Sequence, residues 1–291
     1  GLYSLDFSEW QAKLGSLSAQ SHKWQQGKLV VVAGQKGMAG AAYLALAGAA
    51  HSGVGLIHSV CHEAIYPELF LGHPSVIYGR VEGAPEDSKA WLKTLETRLP
   101  KASALLIGPG LGLDEKTEKL LSYVLGLHDL PLVLDADALT VLAASADLQK
   151  AFHKRQKEGG QTLLTPHEGE AKRLALASEN SSSDSEKLEQ QWQAFTRMEK
   201  ASYLCQKYQA DFILKGPSSI IVSYEGHMAY LNPTGGPALA QGGTGDILAG
   251  LAAGLLAQGF SPLDAGALAA FWHGRAGDLA SEEKGPRAST I

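Results

Sequence analysis

Six short apolar runs set the frame for this chain: Lys28–Ala33 (KLVVVA), Val54–Val60, Ala104–Ile107 (ALLI), Pro131–Leu134 (PLVL), Gln161–Leu164 and Asp211–Leu214 (DFIL). Their apolar stretches are continuous rather than alternating with polar positions. A strand with one wet face alternates, whereas a strand covered on both faces reads as a continuous run, the signature of a parallel sheet between helical layers. Helical spacing fills the intervals at Met38–His51, Ser88–Leu99, Leu113–Leu127, Glu168–Ala175, Glu186–Gln209, Asp246–Gln258 and Ser261–Ala280. The pattern predicts an α/β fold with a mostly parallel central sheet and helices on both faces. Ser219–Val222 and Met228–Leu231 flank Tyr224–His227 as a hairpin, and Asn180–Asp184 is a solvated loop too short to link domains. One domain over residues 1–291 is expected, with residues 1–27 as a polar lead-in anchored by Trp10 and Trp24.

Composition removes several classes of function. Hydrophobic residues make up 45% and charged residues 19%, enough for a large core. The net charge is -5 and no basic block occurs, so a nucleic-acid partner has no electrostatic support. The apolar runs Met38–Ala50 and Ile247–Ala257 fall short of the ~20 residues that span a bilayer. No signal peptide opens the chain, and the expectation is a cytoplasmic protein without a membrane partner. Cys61 and Cys205 match no zinc spacing and read as two buried thiols in a reducing compartment. HExxH, GxSxG and CxxC are all missing from the sequence.

The unusual residues collect at strand ends. Gly34–Gly40, Gly108–Gly112, Asp135–Asp137, Thr165–His167 and Lys215–Gly216 each follow the carboxyl end of an expected strand. In an open parallel sheet those ends share one edge, and ligands bind there.

The sharpest motif is Gly242-Gly243-Thr244-Gly245-Asp246 running into the apolar helix Ile247-Leu248-Ala249-Gly250. The first amides of such a helix have no partner within it, and the macrodipole adds positive charge, so a phosphoryl group fits there. Asp246 at its mouth could take a proton from a substrate hydroxyl. The alternative is that Asp246 or Thr244 only caps the helix. The Gly34, Gly37, Gly40 spacing is neither GxGxxG with its acceptor acid nor a P-loop; it serves tight packing or lets a flat ligand approach Gly40 and Ala41. Gly108-Pro109-Gly110-Leu111-Gly112 is a turn or a ligand contact. Asp135 and Asp137 could serve a magnesium ion or hold a ligand hydroxyl; of the two, Asp135 is expected in the site, while Asp137 is expected to cap a helix starting at Ala138. His167 is a candidate ligand contact, and Glu168 and Glu170 complement a helix dipole. Lys215 is a point charge for phosphate or an exposed turn lysine. His22, His51, His58, His62, His73, His128, His153, His227 and His273 are assigned to surface or packing.

In this order and spacing, Gly37-Met38-Ala39-Gly40-Ala41-Ala42, Gly108–Gly112, Leu134–Leu139, Thr165–Glu170, Leu214–Gly216 and Gly242–Gly250 resemble the ADP-dependent (S)-NAD(P)H-hydrate dehydratases of the ribokinase-like superfamily. Ser21-His22-Lys23 looks similar too, and the likeness covers roughly residues 20–280. The resemblance implies a three-layer ribokinase-like fold and a metabolite-repair lyase. Such an enzyme dehydrates (S)-NADHX and (S)-NADPHX to NADH and NADPH, with ADP (or ATP) as co-substrate, Mg2+ beside the diphosphate, and AMP and phosphate released. Carried over by motif, Asp246 is the catalytic base. Lys215, Gly216, Pro217, Ser218, Ser219, Gly243, Thr244 and Gly245 bind the nucleotide. Ala41, Gly110, Gly112, Asp135, His167 and Asp246 bind the hydrate, and no protein ligand is assigned to a metal. The resemblance further implies a homotetramer and a hydrate epimerase, fused or separate, so that the chain is the dehydratase alone or a piece of a longer protein.

Three departures touch the nucleotide side: Gly236 stands where asparagine is expected, Gln241 where threonine is expected, and Pro217-Ser218 where Ala-Gly is usual. Two other readings share the glycine turn. An ATP-dependent kinase of a small hydroxylated compound has the same fold, but LDADAL and TPHEGE together favour the dehydratase. A non-catalytic nucleotide-binding module would make Asp246 idle.

Overall fold

The structure is a computed structural model that describes residues 2–4, 26–177 and 182–285. Trp10, Trp24 and Ser21-His22-Lys23 lie outside the described residues. The chain begins with β1 (Leu2–Ser4), β2 (Lys28–Val32), α1 (Ala39–His51), β3 (Leu56–His62), α2 (Tyr66–Gly72) and β4 (Ile77–Val81). It continues through α3 (Ser88–Arg98), β5 (Ala104–Ile107), α4 (Glu115–Leu125), β6 (Leu132–Leu134), α5 (Asp137–Ala144), α6 (Ala146–Lys157) and β7 (Thr162–Leu164). Then come α7 (Glu168–Leu176), α8 (Ser182–Ala194), α9 (Arg197–Tyr208), β8 (Asp211–Leu214), β9 (Ile220–Val222), β10 (Ala229–Leu231), α10 (Thr244–Ala257) and α11 (Pro262–Lys284).

The described strands form one ten-stranded sheet in the order β1-β10-β9-β8-β7-β6-β5-β2-β3-β4. From β4 across to β8 every neighbouring pair is parallel; β9 turns antiparallel and pairs with β10 as the expected hairpin. From β2 the chain winds one way to β3 and β4, then returns to place β5 on the other side of β2. The switch point of the sheet therefore lies between β2 and β5, where open α/β sheets leave a crevice at the carboxyl ends.

Each central strand is buried on both faces. Val30 and Val32 join Leu105, Ile107, Leu134, Trp91 and Phe152 in one apolar cluster, while Leu29 and Val31 join Leu106, Val133 and the Ala-rich helices α1, α10 and α11 in the other. Helices α1 and α10 cross in backbone contact. A Cβ on Gly48 would fall 2.0 Å from the Ile247 carbonyl oxygen, and one on Gly250 would fall 1.9 Å from that of Ala45. The small residues thus fix where α10 begins. Gly250→Ala is expected to cost about 3 kcal/mol, because the helices must move apart. Thermal unfolding would read this as a melting point lower by roughly 6–12 °C.

Several expectations need correction. Glu186–Gln209 is not one helix: α8 ends at Ala194, and α9 restarts behind Thr196, whose hydroxyl accepts from the Glu199 amide while the Glu199 carboxylate accepts from the Thr196 amide. That reciprocal cap ends one helix and begins another. The expected loop at Asn180–Asp184 is helical from Ser182. Leu2–Ser4, expected within a polar lead-in, pairs along β10 at the sheet edge. Helix α2, strand β4 and helix α6 form where the sequence pattern predicts no regular element.

Candidate active site

All five strand-end segments meet along the carboxyl edge of the sheet. At the switch point the Gly34 amide donates to the Pro109 carbonyl (2.8 Å), tying the loop after β2 to the turn after β5. Gly110 has φ +62, and a Cβ there would meet Ala41 Cβ at 2.9 Å; Gly112 has φ +88. The expected substrate contacts Ala41, Gly110 and Gly112 are thus neighbours.

Asp137 does not cap helix α5. Ala136 holds the N-cap position with φ 50 and no side-chain cap, and the Asp137 carboxylate crosses over to accept from the Gly112 amide at 2.7 Å. A non-glycine residue in that backbone region is strained, which the sequence does not announce.

Lys215 organises the centre. Its Nζ lies 2.7 Å from Asp135 Oδ1 and 3.9 Å from Glu170 Oε2, and a Cβ on Gly245 would be 3.1 Å from it. Asp135 is only 1% exposed, and its Oδ1 also accepts from the Thr165 hydroxyl at 2.7 Å. Burial alone would lower the Lys215 pKa; Asp135, Glu170 and Asp246 outweigh it, so the ammonium is held charged. Burial pushes the Asp246 carboxyl up to about 7, helped by the charge on Asp135 and opposed by Lys215. Burial likewise lifts Glu170 to about 7.

Helix α10 opens at Gly243, which takes a left-handed φ of 93 and supplies no side-chain cap. The capping alternative fails here. Thr244 donates its hydroxyl backward to Leu239 O (2.9 Å) and Gln241 O (3.0 Å), and the Asp246 side chain makes no cap. The positive end of α10 and the Lys215 ammonium therefore converge with Asp246 beside them.

Next to this centre lies a cavity of about 470 Å3, lined by Lys215, Gly216, Pro217, Ser218, Ser219, Thr244 and Gly245, by 234–237, and by His273 and Gly274 of α11. These include the residues expected to bind nucleotide, except Gly243, which shapes the helix start. The expected substrate set lies outside this cavity, on the switch-point side and around Lys215. Ser218 has φ 50 and is exposed, so the usual glycine at this turn would relieve strain. Ser218→Gly is expected to stabilise the protein by about 1 kcal/mol, measured by denaturant midpoint at constant slope.

Three residues of the site escape the sequence reading. Arg197 sits beneath the 214–218 turn, donating to the carbonyls of Pro217, Ser218, Leu214 and Lys215, while its Nε pairs with Glu168 at 2.9 Å. Glu170 does more than complement a dipole. It accepts from the His167 amide (2.8 Å) and lies 3.3 Å from His167 Nε2, so it sets the imidazole as well as facing Lys215. His273, assigned to packing or surface, lines the cavity, and burial with Lys215 nearby pushes it down to about 4. His62 does match a packing role, accepting from the Ala64 amide. Both cysteines are buried and free. Among the described residues no helix is long and apolar enough to cross a membrane.

Comparison with known proteins gives a consistent picture. Residues 29–291 match a family profile described as NAD(P)H-hydrate dehydratase. The bifunctional NAD(P)H-hydrate repair enzyme of Moorella thermoacetica is 34% identical over 280 residues, covering 96% of this chain and 49% of that protein. The ADP-dependent (S)-NAD(P)H-hydrate dehydratase of Bacillus subtilis is 32% identical over 274 residues, covering 94% of this chain and 88% of that protein. A crystal structure of the ADP/ATP-dependent NAD(P)H-hydrate dehydratase of Bacillus subtilis, co-crystallised with ATP/Mg2+, superposes with a TM-score of 0.77 at 28% identity, covering 99% of this chain and 93% of that one. The chain spans about half the length of the bifunctional relatives.

Proposed function

The chain belongs to the NAD(P)H-hydrate dehydratase family, and from that premise we propose that it dehydrates (S)-NADHX and (S)-NADPHX to NADH and NADPH at the expense of ADP. The observation that carries the reading is the placement of Asp246. Its carboxyl, lifted to about 7, stands in the first turn of α10, beside Lys215 and next to a cavity of about 470 Å3.

In this reading the nucleotide enters the cavity and its diphosphate reaches the start of α10. Lys215 supplies a point charge, and the amides of Gly243, Thr244 and Gly245 face the phosphoryl oxygens, where charge grows during transfer, while the Asp246 amide donates to the Gly243 carbonyl. Asp246 accepts the proton of the C6 hydroxyl of the hydrated ring. That oxygen bonds to the β-phosphorus, and the bond from that phosphorus to the AMP oxygen breaks. The lone pair of the ring nitrogen then expels phosphate from C6, and loss of a proton from C5 forms the double bond of the reduced nicotinamide. A base whose pKa lies near 7 is matched to this work at neutral pH.

Magnesium would offset the diphosphate charge. Among the described residues no group of three or more His, Cys, Asp or Glu side chains could hold a metal ion. Asp135 is engaged by Lys215 and Thr165, and Asp137 by the Gly112 amide. The metal would therefore be held mainly by phosphate oxygens and water, as magnesium often is.

The proposal includes the carried-over roles of Ala41, Gly110, Gly112, Asp135 and His167 on the hydrate side, and a single dehydratase domain. Of these, Asp135 would act through Lys215, beneath which it is buried. A homotetramer and a hydrate epimerase as fused or separate partner belong to the same proposal, the first readable by light scattering. The decisive experiment is turnover of chemically prepared NADHX with ADP and ATP side by side. Appearance of reduced-nicotinamide absorbance supports the reading, and no absorbance with either nucleotide rejects it.

A further inference from the structure

The loop between β2 and α1 holds a polar side chain that the proposed reaction has not used. Gln35 lies at the switch point, and a Cβ on Gly112 would be only 2.4 Å from its Nε2, so the carboxamide rests directly on that glycine. Beneath it is Lys116, 1% exposed, whose Nζ donates to Gln35 Oε1 (3.1 Å) and to Leu111 O (2.7 Å) and sits 5.0 Å from the centroid of the Trp91 ring. An ammonium has only donors, so it fixes the amide orientation: the oxygen must face Lys116 and the NH2 must face away. That NH2 has no hydrogen-bond partner among the described residues, although the oxygen beside it is anchored by a buried charge. Gly112 in turn donates to Asp137, and Gly110 of the same turn packs on Ala41, so Gln35 stands beside the residues proposed for the hydrate side. Gly37 in the same loop and Gly40 in the first turn of α1 border open space.

From this geometry we infer that Gln35 is a ligand-contact residue, its Nε2 hydrogens donating to the carboxamide oxygen of the hydrated nicotinamide ring. The inference rests on the proposed dehydration. Its chemistry is that of a donor held in place before the ligand arrives. The buried ammonium removes the rotamer freedom that a surface glutamine would lose on binding, so the contact costs little to form. The acceptor it fits is a neutral amide oxygen, a group present in both hydrates whatever their 2′ substituent. Gln35 would therefore read the ring and be indifferent to NADHX versus NADPHX.

Glutamate at this position separates recognition from mere support. Gln35→Glu keeps, and strengthens, the partner of Lys116 but removes the outward donor; Gln35→Met removes both. Steady-state kinetics at saturating ADP are expected to show KM for the hydrate raised about tenfold in both variants, with KM for ADP changed less than about twofold. A second readout needs no turnover: quenching of dihydronicotinamide fluorescence should show NADH and NADPH binding weakened by a similar factor in both variants. Wild-type hydrate KM in Gln35→Glu would overturn the inference, because it would show that only the strut to Lys116 matters; this variant decides alone should Gln35→Met fail to fold. Equal effects on ADP and hydrate would overturn it as well, pointing to a general disturbance of the loop. A wild-type protein inert on hydrate with both nucleotides would instead take down the proposed reaction, and this inference with it.

Discussion

Asp246→Asn is expected to lower kcat by about a thousandfold, since asparagine cannot take the hydroxyl proton. The same change is expected to raise thermal stability above neutral pH. The sign follows from where the proton sits. Folding lifts this carboxyl from its ordinary 3.8 to about 7, so the folded chain holds a proton that the unfolded chain has released. Between those values stability falls as pH rises, because the native state must give up a proton it binds more tightly. Asparagine carries no such penalty. The variant and the wild type should therefore differ little near pH 4, diverge through the interval, and stay apart above pH 7. The gap is about 2 kcal/mol after allowance for the site's opening to water, or roughly 4–8 °C in melting temperature. Activity should mirror it: kcat/KM of the wild type rises with pH, is half-maximal near 7 and levels off about a unit higher, the limb belonging to Asp246 and Glu170 together. Glu170→Gln removes a neighbouring negative charge and should move that limb to lower pH. An Asp246→Asn protein that kept kcat within tenfold of wild type would remove the base from the proposal; one equally stable to the wild type at pH 8 would show that the carboxyl is not held in the environment described.

What the sequence made visible, and what it hid, divides along a physical line. Continuous apolar runs and the glycines that follow them are local signals, and they located β2, β5, β6, β7 and β8 and the loops at their ends. The Gly243–Asp246 turn was equally legible, because a left-handed N-cap before an apolar helix calls for glycine. Arg197, Glu170 and His273 were not. Each is a polar residue on a helix, and in the sequence a buried charge reads like a solvated one. Arg197 reaches the 214–218 turn only because α9 packs beside β8, and His273 reaches the cavity only because α11 crosses the sheet. The Thr196-Arg197-Met198-Glu199 cap was present in the sequence as a T-x-x-E signal, but the helical spacing on either side masked it. Asp137 failed for a different reason: nothing local distinguishes a capping aspartate from one whose carboxylate crosses to the amide of Gly112.

Lys215→Met is expected to do the most damage to both stability and activity, and the way it can be repaired identifies the unit that matters. The ammonium faces Asp135 at 2.7 Å and Glu170 at 3.9 Å, and its charge also holds down the Asp246 carboxyl. Removing it leaves Asp135, with 1% exposure, without its cation, a loss of about 3–5 kcal/mol when one member of a buried pair is deleted. It also withdraws the charge proposed to meet the diphosphate, so turnover should fall below detection. Any residual activity should have its acid limb shifted to higher pH, because Lys215 opposes the rise of both Asp246 and Glu170. Adding Asp135→Asn to Lys215→Met takes away the stranded carboxylate while asparagine can still accept from the Thr165 hydroxyl. The double variant should recover about half of the lost stability and none of the activity, a coupling that a mutant cycle measures directly. Recovered stability without recovered turnover assigns Asp135 to holding the lysine and the lysine to the phosphoryl group. Additive losses would mean that the two side chains act independently, and the account of Asp135 working through Lys215 would have to be abandoned.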